Sequence, residues 1–310
     1  MLAETSVSTP VARRSFWRGT RASQAPWSSW RLLGRKLLRD RAAVAGLLVI
    51  AGLLLSAILA PYLAPFPEDI AATHPAQRLK APSWQHPMGT DALGRDIASR
   101  VLFGGRITLI VSLTVVLSCL AIGVPAGLIA GYYENTLSQV IMRLADIFLA
   151  VPRVILALAM AQALGPSLPN MILALTVTYW PWFTVIVAAE TRAVKKSTFV
   201  EATETLGIGP WRTMLCHILP NLMSPIIVRS TLSMGITIMT AAVLGFLGMG
   251  AQPPAPEWGS MIADARQYLP DAWWCATAPG VAIFVVVMGF NVLGDALRDL
   301  LDPRLRRGRS

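Results

Sequence analysis

The sequence predicts an all-α membrane protein with six transmembrane helices and both termini on the cytoplasmic side. Three observations lead there. Of 310 residues, 54% are hydrophobic and only 14% charged, where an average soluble domain has about 25% charged residues. Charge-free runs of more than about 20 residues recur, whereas a soluble core would show alternating or amphipathic spacing. Lys and Arg also gather on one side of those runs, as the orientation rule for membrane spans requires.

The first apolar run follows Arg41 and gives a span of about 42–63. It begins too late in the chain and runs too long for the core of a signal peptide, so it reads as a retained anchor. The second span covers about 107–131. A long run then breaks at the turn signal Gly165-Pro166-Ser167-Leu168-Pro169-Asn170, which separates a helix of about 141–164 from one of about 171–189. The last two spans are expected at about 222–247 and 276–297. Each is long enough for a hydrocarbon core of about 30 Å at about 1.5 Å per residue.

An even number of spans puts both ends on one side. With both ends inside, nine Lys and Arg fall in 1–41, one at Arg143, four in 190–221 and five in 298–310. Five fall outside in 64–106 and one at Arg266, while Arg153 and Arg229 lie within spans. That bias places both termini and the 191–221 loop in the cytoplasm.

The chain therefore divides into a cytoplasmic tail at 1–41, a transmembrane domain at 42–298 and a cytoplasmic basic tail at 299–310. Trp27 to Arg39 mixes aromatic, leucine and basic residues in the manner of an interfacial helix. The net charge of +10 belongs to span ends meeting anionic lipid, and no nucleic-acid motif accompanies it. Cys119, Cys216 and Cys275 stand singly, so neither a disulfide frame nor a metal site is indicated.

Intramembrane charge is the usual pointer to a pathway. Asp146 and Arg143 lie near the inner end of their helix and read as anchors. Arg153, just after Pro152, is deeper and is expected to pair with Asp146 or to line a pathway. Arg229 is the second pathway candidate. Pro125, Gly127, Pro152, Pro181, Pro279 and Gly280 would interrupt helices, which lipid tolerates only where neighbouring helices or water satisfy the freed backbone groups.

The most informative segment is Phe199 to Asn221, FVEATETLGIGPWRTMLCHILPN. A short helix from Phe199 to Leu206, a turn at Gly207 and Gly209-Pro210, and a second helix from Trp211 that Pro220 interrupts would make a compact cytoplasmic knob. It resembles the coupling loop of bacterial ATP-binding cassette importer permeases, whose pattern is Glu-Ala-Ala, three residues, Gly, nine residues, Ile, one residue, Leu-Pro. Glu201, Ala202, Gly207, Leu219 and Pro220 fall at the matching positions. Thr203 replaces the second alanine and His217 stands in the isoleucine slot.

Two further segments extend the likeness. His86 to Arg100 reads HPMGTDALGRDIASR. Gly245 to Gly259 reads GFLGMGAQPPAPEWG and continues to Asn291-Val292-Leu293-Gly294-Asp295 and Leu301-Asp302-Pro303-Arg304. Together these resemble the second permease subunit of the dipeptide, oligopeptide and nickel importers, over about residues 35–307. The resemblance implies a type I importer permease fold in a bacterial inner membrane, with Glu201, Ala202, Thr203, Glu204, Gly207, Leu219 and Pro220 contacting an ATPase. It also implies a second homologous permease subunit, two ATPase subunits and an extracytoplasmic solute-binding protein. Peptide is the first expectation for the solute, with nickel, opines and glutathione as alternatives.

Two other classes are weighed against this. An enzyme would need a nucleophile, a base and an orienting group; Asp91 and Asp96 with His86 could be cast as an acid/base or metal cluster, but Asp91, Arg95 and Asp96 more simply form local ion pairs or caps on a short surface helix. A secondary transporter would show inverted repeats and paired broken helices, and no repeat is evident. No G-x-x-x-x-G-K-[ST] loop occurs, so no cofactor is expected in this chain and ATP and magnesium are assigned to the partner subunits.

Overall fold

The computed structural model describes residues 37–301, which are nearly all helix. In order these are α1 (Arg41–Leu63), α2 (Ile97–Tyr132), α3 (Thr136–Leu149), α4 (Arg153–Leu164), α5 (Leu168–Lys195), α6 (Thr198–Thr205), α7 (Pro210–Phe246), α8 (Trp258–Ala265) and α9 (Trp274–Leu301). Helices α1, α2, α5, α7 and α9 are each long and apolar enough to cross a membrane, and the bent pair α3–α4 makes a sixth candidate. The interfacial helix expected at Trp27–Arg39 and the basic tail at 299–310 lie wholly or largely outside the described residues.

Polar N-caps set where several helices begin. Side-chain oxygens of Asp40, Asp96, Asn135 and Ser167 accept from the backbone N–H groups of Ala42, Ser99, Ser138 and Asn170, which would otherwise be unpaired. The cap at Asp96 explains why α2 starts ten residues before the expected span at 107. The extra turns carry Arg100, whose charge marks them as non-membrane in the sequence. The side chain is buried, and Nη1 donates to Ile70 O at 3.0 Å and Pro254 O at 3.4 Å.

The single helix expected at 141–164 is two helices, α3 and α4, meeting at 89°. Pro152 has no N–H to continue the ladder and pushes Val151 out of the helical region, so the chain turns there. The bend also separates Arg153 from Asp146, and the expected pair does not form: no carboxylate lies within 4.0 Å of Arg153 among the described residues. Pro220 differs from expectation as well. It does not interrupt α7, because a wide π turn over Thr213–Ile218, closed by Leu219 N–H to Met214 O, absorbs the irregularity just before it.

The bundle is organised around α2 and α5. Gly123, Gly127 and Gly131 recur every four residues on α2 and face Trp180, Thr184 and Ala188, also spaced by four, on α5. A Cβ at each glycine would come within 2.9, 2.7 and 2.6 Å of the facing carbonyl oxygens. Only glycine permits that approach, and close backbone packing is what drives helices together where lipid is as apolar as the side chains. Helix α1 meets α9 similarly, a Cβ at Gly46 falling 2.9 Å from Gly289 O.

At one end, residues 64–96 and 247–273 form a cap. Asp96 organises it: its carboxylate accepts from Ser99 N at 2.7 Å and pairs with His86 Nδ1 at 2.9 Å, and its N–H donates to Asp69 Oδ2 at 2.8 Å. His86 Nε2 is engaged by Gln77 Oε1 at 2.9 Å, and Arg95 Nε donates to Asp91 Oδ2 at 2.7 Å. These side chains hold the cap together. At the opposite end, α6 and the start of α7 form a knob. Buried Leu128, Tyr132, Val187, Val200, Met214 and Ile218 fasten it to α2 and α5.

Candidate functional site

The two intramembrane arginines singled out by sequence meet at one ring. Arg153, the first residue of α4, places Cζ 5.2 Å from the ring centroid of Trp182 and 5.5 Å from that of Tyr179. Arg229, on α7, places Cζ 4.9 Å from the Trp182 centroid. Trp182 is the fifteenth residue of the 28-residue α5, so the cluster lies about 20 Å from either end of that helix at about 1.5 Å per residue. This is the middle of the span, where an unpaired arginine costs about 2.5–3.5 kcal/mol.

Cation–π stacking returns about 0.5–2 kcal/mol per arginine without neutralising it. No carboxylate lies within 4.0 Å of either guanidinium among the described residues. Arg153 Nη1, Arg229 Nε and Trp182 Nε1 are all buried without a hydrogen-bond partner. Three donors and two positive charges thus gather with no acceptor. Buried donors are paired in the great majority of proteins, so a cluster of orphans calls for a reason.

The cluster continues as a polar seam between α5 and α7. On α7, Arg229, Ser233, Thr237 and Thr240 follow at intervals of four, four and three and share one face. On α5, Thr176, Tyr179 and Trp182 do the same. Tyr179 Oη bonds Thr240 Oγ1 at 2.6 Å, and the hydroxyls of Thr176 and Thr237 are buried without partners. Sequence reasoning missed every member except the arginines. The four- and three-residue spacing of Ser233, Thr237 and Thr240 after Arg229 was the available signal.

The knob is built by a defined turn. Ile208 N–H bonds Thr203 O at 3.1 Å and Gly207 N–H bonds Glu204 O at 3.0 Å, the paired bonds of a Schellman helix end. Gly207 supplies the left-handed backbone at φ +74°. Helix α6 buries Val200 and Thr203 inward and leaves Glu201, Ala202 and Glu204 exposed; Leu206, Trp211 and Leu215 add exposed apolar surface, Leu206 at 78%. Glu204 is tied internally, its Oε1 accepting from Tyr132 Oη at 3.0 Å, while Lys195 Nζ donates to Tyr132 O at 2.9 Å. Leu219 is half-buried and Pro220 exposed, beyond the π turn. The predicted coupling residues thus split: Glu201 and Ala202 face outward, Thr203 is buried and bonds Val200 O within α6, Glu204 ties the knob to Tyr132 of α2, and Gly207 shapes the turn.

At the cap end a cavity of about 470 Å³ is lined by Arg78, Asp91, Arg95, Arg100 and Asp264 among others. Burial pushes the Asp264 carboxyl up, against the pull of Arg95 and Arg100. Nearby, the Glu257 carboxylate sits where Gly245 and Gly250 leave room for it and accepts from Ala251 N at 2.6 Å. Burial raises Glu257 to about 7, the Ala251 hydrogen bond opposing the shift.

The bundle thus carries a midplane polar seam and, at one end, a helical knob packed on α2 and α5. Residues 123–307 match the family described as the binding-protein-dependent transport system inner membrane component, and residues 28–82 match the N-terminal transmembrane domain of oligopeptide transport permease C. The chain belongs to that inner membrane component family. It is 42% identical over 279 residues to a dipeptide transport system permease protein of Alkalihalophilus pseudofirmus, covering 90% of this chain and 91% of that one. It is 41% identical to a glutathione transport system permease protein of Pectobacterium atrosepticum, covering 89% and 92%. A di/tripeptide transport system permease protein of Pseudomonas aeruginosa is 40% identical, with 86% and 89% covered. Among solved structures, the MetNI methionine ABC transporter in inward-facing conformations matches with a TM-score of 0.53 at 18% identity, covering 66% of this chain and 96% of that one. That likeness carries the fold, the type I importer permease arrangement.

Proposed function

We propose that this chain forms one half of the membrane core of an ATP-driven importer of small peptides. The observation that carries the reading is the knob: a Schellman-closed helix end with Glu201 and exposed Leu206 and Trp211 at its tip, on a base fastened to α2 and α5. Such a body transmits a push as rigid motion, whereas a floppy loop would absorb it. The substrate class is supported by the relatives, whose names specify dipeptide, glutathione and di/tripeptide transport.

In this reading the knob end is cytoplasmic, in line with the concentration of Lys and Arg there. Two ATPase subunits, holding ATP and magnesium, take this knob and that of a second, homologous permease. A solute-binding protein delivers peptide at the cap end. Helix α7 is one continuous 37-residue element from the knob to the cap, and Arg229 lies about 27 Å along it from Trp211 at about 1.5 Å per residue. Closure of the ATPase pair then shifts α7 and alternates access to the seam. Coupling of this kind requires the two nucleotide states to differ in contact free energy with the knob.

Replacing Glu201 tests the assignment, since Glu201→Lys turns an attraction for a basic cleft into a repulsion without touching the core. The variant should reach normal abundance in the membrane yet lose ATPase association and radiolabelled dipeptide uptake in a strain lacking its own subunit. Wild-type uptake would remove the knob from the mechanism.

A further inference from the structure

We infer that Arg153 and Arg229, both stacked on Trp182, form a carboxylate-reading station on the translocation pathway that takes the C-terminal carboxylate of the peptide in transit. The inference rests on the peptide reading above and adds the chemical group that this chain recognises.

The cluster lacks one thing, an anionic acceptor. Two guanidinium groups share one indole ring, and Arg153 Nη1, Arg229 Nε and Trp182 Nε1 are buried without a partner. A carboxylate offers two oxygens with about four lone-pair sites and accepts a guanidinium fork through two parallel bonds. Such a ligand would satisfy the orphans and cancel charge at the depth where charge costs most. A neutral solute would leave both guanidiniums unneutralised.

The setting favours a passing ligand over a permanent one. Arg153 follows the non-helical break at Ala150–Pro152, and exposed Val151 and Pro152 lie beside it. Irregular backbone at membrane depth is tolerated only when buried in protein or lining a water-filled cavity. Both arginines are half-buried rather than sealed. Their aromatic supports hold the positive charges in place while leaving them available, which suits a pathway that must bind a solute well enough to admit it and loosely enough to release it.

The test compares a radiolabelled dipeptide with its C-terminal amide, using the complete importer and one binding protein throughout. Wild type, Arg153→Gln, Arg229→Gln and the charge-keeping Arg153→Lys and Arg229→Lys are measured for uptake and for ATP hydrolysis. Dipeptide uptake in each Gln variant should fall at least tenfold, to the level of the amide. Amide uptake should stay within about twofold of wild type, ATP hydrolysis should be retained, and the Lys variants should recover part of the dipeptide rate. Equal loss for acid and amide would overturn the inference, as would failure of the Gln variants to assemble with their partners, which would make the arginines contacts for an acidic group of another subunit. Absence of dipeptide uptake by the wild type would instead refute the peptide reading itself and take this inference with it.

Discussion

Gly207 offers a perturbation whose cost can be separated into its physical parts. Its φ of +74° lies in the left-handed region, and a Cβ built there meets no heavy atom within 4 Å. Substitution is therefore penalised by backbone conformation alone and not by crowding. Asn, which visits this region readily, should cost a few tenths of a kcal/mol; Ala should cost about 1 kcal/mol and β-branched Val about 2 kcal/mol. Costs of about 1 and about 2 kcal/mol lower the ratio of closed to open helix end by roughly five- and thirtyfold. The assay is retention of the ATPase subunits on the purified permease, normalised to membrane abundance by immunoblot. Retention should follow Gly, Asn, Ala, Val in descending order at constant abundance. Equal retention for Asn and Val would refute the conformational argument, because the space around the site cannot distinguish them.

Three other outcomes follow from the same structure. Glu257 lies outside the membrane spans and its pKa is raised from 4.5 to about 7 by burial, so between those values the folded chain holds a proton that the unfolded chain has lost. Its contribution makes stability fall as pH rises from about 4.5 to 7, by on the order of 3 kcal/mol in total; Glu257→Gln should shrink the difference in melting temperature between pH 5 and pH 8, and an unchanged difference counts against a buried protonated acid. Gly127→Val would drive its Cβ to 2.6 Å from Val187 Cβ and 2.7 Å from Thr184 O. That overpacking costs about 1–3 kcal/mol or more and should deplete the protein from membranes, while Gly52→Val, with nothing within 4 Å, should leave abundance unchanged. Cys216 is exposed on the knob while Cys119 and Cys275 are buried, so in intact cells a permeant maleimide should label the wild type and an impermeant one should not; external labelling would reverse the proposed orientation.

Much of this was legible in the sequence because membrane spans and the turn that builds the knob are local patterns. Apolar runs show regardless of tertiary context, and the knob's Glu201, Gly207 and Pro220 keep their spacing along the chain. Arg153 and Arg229 also stood out, since charge within a span is rare. The misses are tertiary. Pro152 was legible as an interruption, but its 89° turn of the chain was not, and the early start of α2 was hidden because Arg100 Nη1 bonds carbonyls distant in sequence. Gly127 was read as a helix breaker when its four-residue spacing with Gly123 and Gly131 marks a packing face. Trp182 carried no signal at all until the fold brought both arginines to its ring.

We propose that ATP hydrolysed by partner subunits drives a peptide past this chain. The most direct test is uptake into proteoliposomes containing the purified chain, its partner permease and ATPase subunits, with binding protein and radiolabelled dipeptide on the cap side and nucleotide on the knob side. Peptide should accumulate against a gradient with ATP present and not with a non-hydrolysable analogue, whether or not a proton or sodium gradient is imposed. Accumulation driven by an ion gradient in the absence of ATP would contradict the proposal and make the chain a secondary transporter.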